Sequence, residues 1–146
     1  MLHVINTLTD PLLELVKDDP VRPEIPVAAR VCEDHAEVFV LSRNGVPAAV
    51  TCVRYTQDVP GSVLDMNRSD SAHVAVFYTI WSYQPGAGRE LIRQAQTYIK
   101  AARTEITRFV TLSPKTEMAR VFHHKNGART LRENADTVNY EYPTGT

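Results

Sequence analysis

The sequence predicts an α/β domain. Strand-patterned and helix-patterned segments alternate along it, an Asn-Gly pair splits one β-branched run, and a glycine-lined turn joins its strongest strand to its strongest helix. A chain of 146 residues suits one domain, 1–146, large enough to bury more than half of the surface its unfolded form exposes.

Leu2 to Asn6 reads as a short strand, and DPLLELVKDD as a helix with Asp10 as cap and Pro11 in its first turn. PVRPEIP carries three prolines and cannot propagate regular structure, so it is a connector before VAARVCED, which has room for one or two helical turns. AEVFVLSRNGVPAAVTCVRY is a hairpin signal centred on Asn44-Gly45, a pair suited to turns with positive φ. The polar QDVPGSVLDMNRSD is longer than most connections and reads as a loop with room for substrate contacts, solvated by Asp65, Arg68 and Asp70. SAHVAVFYTIWSY is a strand whose Phe77, Tyr78, Trp81 and Tyr83 fit a core or sheet face, and GRELIRQAQTYIKAAR is a helix with one apolar side. ITRFVTL is a further strand, PKTEMARVFHHKN a helix opened by Pro114 and closed by Gly127, and ARTLREN with DTVNYEYP a final strand pair.

The formal net charge is -1 with acids and bases interspersed, which excludes the basic field of a nucleic-acid binder. Cys32 and Cys52 lack CxxC spacing, so neither a disulfide scaffold nor a zinc site is expected, no metal is called for, and a reducing cytoplasm fits. MLHVINTLTD is not a secretory leader and no apolar run reaches bilayer length, so no membrane partner is expected. A homodimer is compatible with all of this.

Between the strand and helix lies SYQPGAGRELI. The first N–H groups of a helix are left free and attract anions, and glycines allow a phosphate to approach them. Gly86 and Gly88 would serve an ordinary turn equally, but their spacing between these two elements favours anion binding. Ser113 before Pro114 has the form of a helix N-cap. His123, next to His124 near a helix C-terminus, is placed either to complement the helix dipole or to do chemistry.

The element order, the GAG turn and the segment ARVFHHKNG resemble the GNAT acyltransferase superfamily. Gly86, Ala87, Gly88, Leu91 and Ile92 match its Q/R-x-x-G-x-G/A turn and following helix, although Tyr83 stands where Gln or Arg is expected and Gln84 comes one place late. Ala119, Phe122, Lys125 and Gly127 match its A-x-x-F-Y-x-K-x-G helix, with His123 in place of the tyrosine. The resemblance implies a three-layer domain with a mixed, centrally splayed sheet flanked by helices, and coenzyme A as ligand. The pantetheine arm would lie along Ile80, Trp81 and Ser82, and the pyrophosphate on Gly86, Ala87 and Gly88, with Gln84 and Arg89 beside it.

AVFYTIWSYQPG, VTLSP, FHHKNGA and DTVNYEY are similar, in that order, to pieces of the malonyl-CoA decarboxylase catalytic domain. That likeness implies a lyase turning malonyl-CoA into acetyl-CoA and carbon dioxide, with His123 as acid and Ser113 as donor to the malonyl carboxylate. The decarboxylases also carry a helical N-terminal domain that these residues do not match, and a long helical insertion where this chain has PKTEMARV. If residues 114–125 were one helix, a rise of about 1.5 Å per residue would separate Ser113 from His123 by roughly 15 Å. Shared chemistry therefore requires a break after Pro114. The alternatives are an N-acetyltransferase using acetyl-CoA and an inactive GNAT-like binding module.

Overall fold

The Asn44-Gly45 pair closes the hairpin as its composition predicts, with φ of 54° and 78°, the positive values that match a tight turn to strand twist. It joins β2 (Ala36–Arg43) to β3 (Val46–Thr56). A computed structural model describes residues 1–32, 34–67 and 70–144, so Arg68 lies outside the described residues. The remaining strands are β1 (Leu2–Ile5), β4 (Val74–Ser82), β5 (Arg108–Thr111), β6 (Ser113–Pro114), β7 (Arg129–Glu133) and β8 (Thr137–Tyr142). All eight belong to one mixed sheet, ordered β1-β2-β3-β4-β5-β8-β6 with β7 also on β8. Among these pairings only β4 and β5 run parallel.

Strand alternation sends the side chains of β2 to two separate cores. Phe39 and Leu41 pack in one cluster with Leu91, Ile92, Ala95 and Ile99 of α1 (Ala87–Ala102). Val38 and Val40 face the opposite cluster, where Leu13 and Val16 cover the sheet. Those two leave the sequence reading on one point: their segment winds as a 3-10 helix, Pro11–Asp18, and not as an α-helix. Asp10 still caps it, Oδ1 accepting from Leu12 N at 3.0 Å. The segment after the proline connector forms a single 3-10 turn, Val27–Ala29.

The second correction concerns the helix expected from Pro114. It begins three residues later, as α2 (Glu117–Lys125). A residue before proline is biased to extended backbone, and Ser113 and Pro114 accordingly form β6, paired with Val138 and Thr137 of β8. Thr116 is the cap, its Oγ1 accepting from Ala119 N at 3.2 Å. Ser113 is thus not an N-cap.

Candidate active site

Parallel pairing of β4 with β5 stops at Phe77 and Thr111, followed by one more bond from Leu112 N to Phe77 O at 3.1 Å. At this level β4 is bulged. Its partners on β3 jump from Phe77–Val53 to Thr79–Cys52 and leave Tyr78 as the extra residue, an arrangement that bends a strand. Beyond it the strands diverge, and a cleft of about 480 Å³ opens between Tyr78–Ser82 and Leu112–Pro114, with Ala119, Phe122 and His123 of α2 closing its side. Tyr83 N donates to Ala48 O across β3. Alternation from Tyr83 therefore turns the backbone groups of Ile80 and Ser82 toward the cleft and those of Trp81 toward β3.

At the outer end of β4, Gly86 takes the left-handed conformation at φ 75° and caps α1. Ala87 N donates to Gln84 O at 3.3 Å. Among the described residues no acceptor takes the N–H of Gly88 or of Arg89, so two donors at the positive end of α1 remain for an anion. Gly88 is also a packing residue. A Cβ there would sit 3.1 Å from Phe122 Cε1 and 3.2 Å from Cζ, so glycine lets α1 and α2 approach. Arg43, which the sequence reading missed, reaches this turn, donating from Nη1 to Pro85 O at 3.1 Å and from Nη2 to Glu90 Oε2 at 2.9 Å. Its position at the end of a hairpin strand carried no signal of that role.

His123 is buried, and its Nδ1 lies 2.7 Å from the Tyr142 hydroxyl. The ring stacks on Tyr140 with centroids 5.1 Å apart and meets Phe122 edge-on. Burial, with a smaller contribution from His124, pushes its pKa down to about 4, so the imidazole is neutral near pH 7. Burial likewise lifts the Tyr142 hydroxyl above its usual range, keeping it protonated. When Tyr142 donates to Nδ1, the ring's proton sits on Nε2. His124 is exposed and contacts Thr130.

The break after Pro114 brings Ser113 into the same cleft as His123. The Ser113 hydroxyl donates to Thr111 Oγ1 at 2.8 Å, and that oxygen also accepts from Tyr140 N at 3.0 Å. Ser113 must turn away from Thr111 before it can donate to a ligand.

No protein-family model and no curated protein matches the chain. Solved structures do. Malonyl-CoA decarboxylase from Agrobacterium vitis superposes with a TM-score of 0.67 at 27% identity, covering 84% of this chain and 35% of that one. GCN5 of Tetrahymena gives 0.68 at 13%, covering 99% and 96%, and the GNAT domain of S. lividans PAT gives 0.64 at 16%, covering 97% and 88%. The chain has a GNAT fold. Within it, the likeness extends to malonyl-CoA decarboxylase, of whose length the chain spans about a third.

Of the site residues that the two resemblances singled out, Ile80, Trp81, Ser82, Gly88, Ser113 and His123 line the cleft. Gln84, Gly86, Ala87 and Arg89 form the turn outside its mouth, with Ala87 buried and Arg89 exposed. The source of one wall differs from the expectation. None of the described residues of the 57–70 loop lines the cleft. The loop is fastened to β8, Asn139 Nδ2 donating to Pro60 O and Thr137 Oγ1 to Gly61 O. The wall comes instead from the proline connector, through Pro20 and Val21. Asp19 anchors it, with Oδ1 accepting from Val21 N, Arg22 N and Thr79 Oγ1, and Oδ2 paired to Arg30 Nη1 at 2.6 Å in a fully buried ion pair. Among the described residues no helix is long and apolar enough to cross a membrane.

Proposed function

We propose that this chain binds a coenzyme A thioester along the β4–β5 cleft and decarboxylates malonyl-CoA. One observation carries the reading: a neutral, tyrosine-held His123 and Ser113 share one apolar cleft that ends at a donor-rich helix start. The pantetheine arm would add to the free edge of β4 through the backbone of Ile80 and Ser82, as an extra strand does. The pyrophosphate would meet the N–H groups of Gly88 and Arg89.

Loss of carbon dioxide breaks the bond between the carboxylate and the α-carbon, and the electron pair moves onto the thioester oxygen as an enolate. A neutral His123 with its proton on Nε2 suits that oxygen as a hydrogen-bond donor in a water-poor site. An enolate carbon is more basic than imidazolate, so the same N–H can deliver the proton that completes acetyl-CoA, leaving an imidazolate that solvent reprotonates. The low pKa of His123 therefore fits this role better than that of a standing imidazolium. Ser113, turned from Thr111, would hold the carboxylate before it leaves.

A second reading is favoured by the near-complete mutual coverage with GCN5: transfer of an acetyl group to an amine. One experiment separates them. Incubated with malonyl-CoA in deuterated water, a decarboxylase yields acetyl-CoA carrying deuterium on its methyl group, with the thioester intact. Release of free thiol from acetyl-CoA on addition of an amine, with malonyl-CoA untouched, would replace the first reading by the second.

A further inference from the structure

Where two neighbouring strands part, their unpaired backbone groups favour closing the gap again, because each ladder bond recovered satisfies two polar groups. At the fork in this sheet one side chain occupies the first open rung. Arg22 donates from Nε to Tyr78 O on β4 at 3.4 Å and from Nη2 to Leu112 O after β5 at 3.1 Å. Tyr78 is the bulged residue, and Leu112 is the last residue whose N–H still bonds β4. The guanidinium is planar and rigid, with donors on several edges. It bridges the two carbonyls and substitutes for a backbone rung without letting the strands meet.

The backbone of Arg22 is itself held. Its N–H donates to Asp19 Oδ1 at 2.9 Å, and its carbonyl accepts from Arg30 Nη2 at 2.7 Å, so the buried Asp19–Arg30 pair fixes where the side chain starts. Thr79, the next residue of β4, has its carbonyl taken from the β3 side by Thr51 Oγ1 at 2.8 Å. Ile80 is thus the first β4 residue beyond Arg22 whose backbone faces the open edge. We infer that Arg22 is a positioning residue that braces the fork at the spacing a pantetheine arm needs, with Asp19 and Arg30 as its mount. This rests on the reading of the cleft as a coenzyme A site.

The test compares two ligands on the full chain by calorimetry: coenzyme A, and its nucleotide half, 3′-phosphoadenosine 5′-diphosphate, which reaches the glycine turn but not the fork. Arg22→Ala and Arg22→Lys should each weaken coenzyme A binding about tenfold or more, the scale of a lost charge-assisted bond, while affinity for the nucleotide half changes less than about twofold. The lysine is decisive, since it keeps the charge but cannot span both carbonyls. Wild-type affinity in Arg22→Lys would reduce Arg22 to a charge, and equal loss for both ligands would reduce it to a stability residue. Either overturns the inference. In the wild type, the Arg22 Nε–H resonance should exchange slowly with water and shift when coenzyme A is added but not when the nucleotide half is. A resonance indifferent to coenzyme A overturns the brace even if the variants do not fold. A wild-type protein that binds neither ligand defeats the coenzyme A reading itself, a different result from one that binds both and ignores Arg22.

Discussion

Tyr142 on β8 and His123 on α2 meet through a 2.7 Å hydrogen bond, and both side chains are buried. A buried imidazole whose Nδ1 is held by a hydroxyl has its other nitrogen fixed in direction and protonation. Tyr142→Phe keeps the shape and removes the bond. It should cost about 1 kcal/mol of stability and release the tautomer. Nitrogen-15 spectra of the wild type should show one tautomer, protonated at Nε2, and those of Tyr142→Phe a mixture. Identical spectra would mean that the tyrosine does not set the tautomer.

The same histidine makes stability depend on pH. Its folded pKa, pushed down to about 4 by burial, lies below the ordinary value, so between them the unfolded chain binds a proton that the folded chain refuses. Stability is therefore full above about pH 6.5 and falls as pH falls toward 4, by at most about 3 kcal/mol from this group. Urea unfolding at pH 7 and pH 4.5 should show a smaller difference for His123→Gln than for the wild type. Equal differences would refute the assignment.

At the glycine turn the choice of variant matters. Gly88→Ala would press a methyl group against Phe122, so it should lower the melting temperature and disturb the cleft whatever binds there. Arg89 is exposed at the same turn. Arg89→Glu should leave stability within about 0.5 kcal/mol and weaken coenzyme A binding at low salt, with the loss shrinking as salt rises. A loss independent of salt would contradict an electrostatic role.

Asp19 and Arg30 form a fully buried pair at 2.6 Å. Removing one partner strands the other charge, so Asp19→Asn should destabilise the fold by about 3–5 kcal/mol, read from chemical unfolding. The double variant Asp19→Leu with Arg30→Met should recover part of that loss. Asp19→Asn unfolding like the wild type would show that the connector is held by other means.

Much of this fold was legible because local chemistry and tertiary context agree. Asn44-Gly45 dictates its turn, the apolar stripe of α1 its face, and Gly86 its left-handed cap. Disagreement arose where a long-range partner decides. Ser113-Pro114 looks like a helix start, yet pairing with Val138 and Thr137 draws it into the sheet, while Thr116-Glu117 offered the true cap signal. His123 was singled out through its register in ARVFHHKNG, but its neutral state comes from burial, and the rings of Tyr142 and Tyr140 that pack against it lie 19 and 17 places along the chain. The connector gave no sign of its function, since Asp19 and Arg30 have meaning only once they meet under the sheet.

Arg22 reaches Leu112 across 90 residues of chain, which orders events during synthesis. The connector emerges early, but the strand it braces leaves the ribosome only after α1 is complete, and β8, on which β5 and β6 both lean, comes last. Contacts of such separation form late because the intervening chain must first be closed into a loop. A nascent chain that already displays its glycine turn still has no cleft behind it. The proposed thioester site is therefore complete only once β8, the last strand of the sheet to be made, is in place.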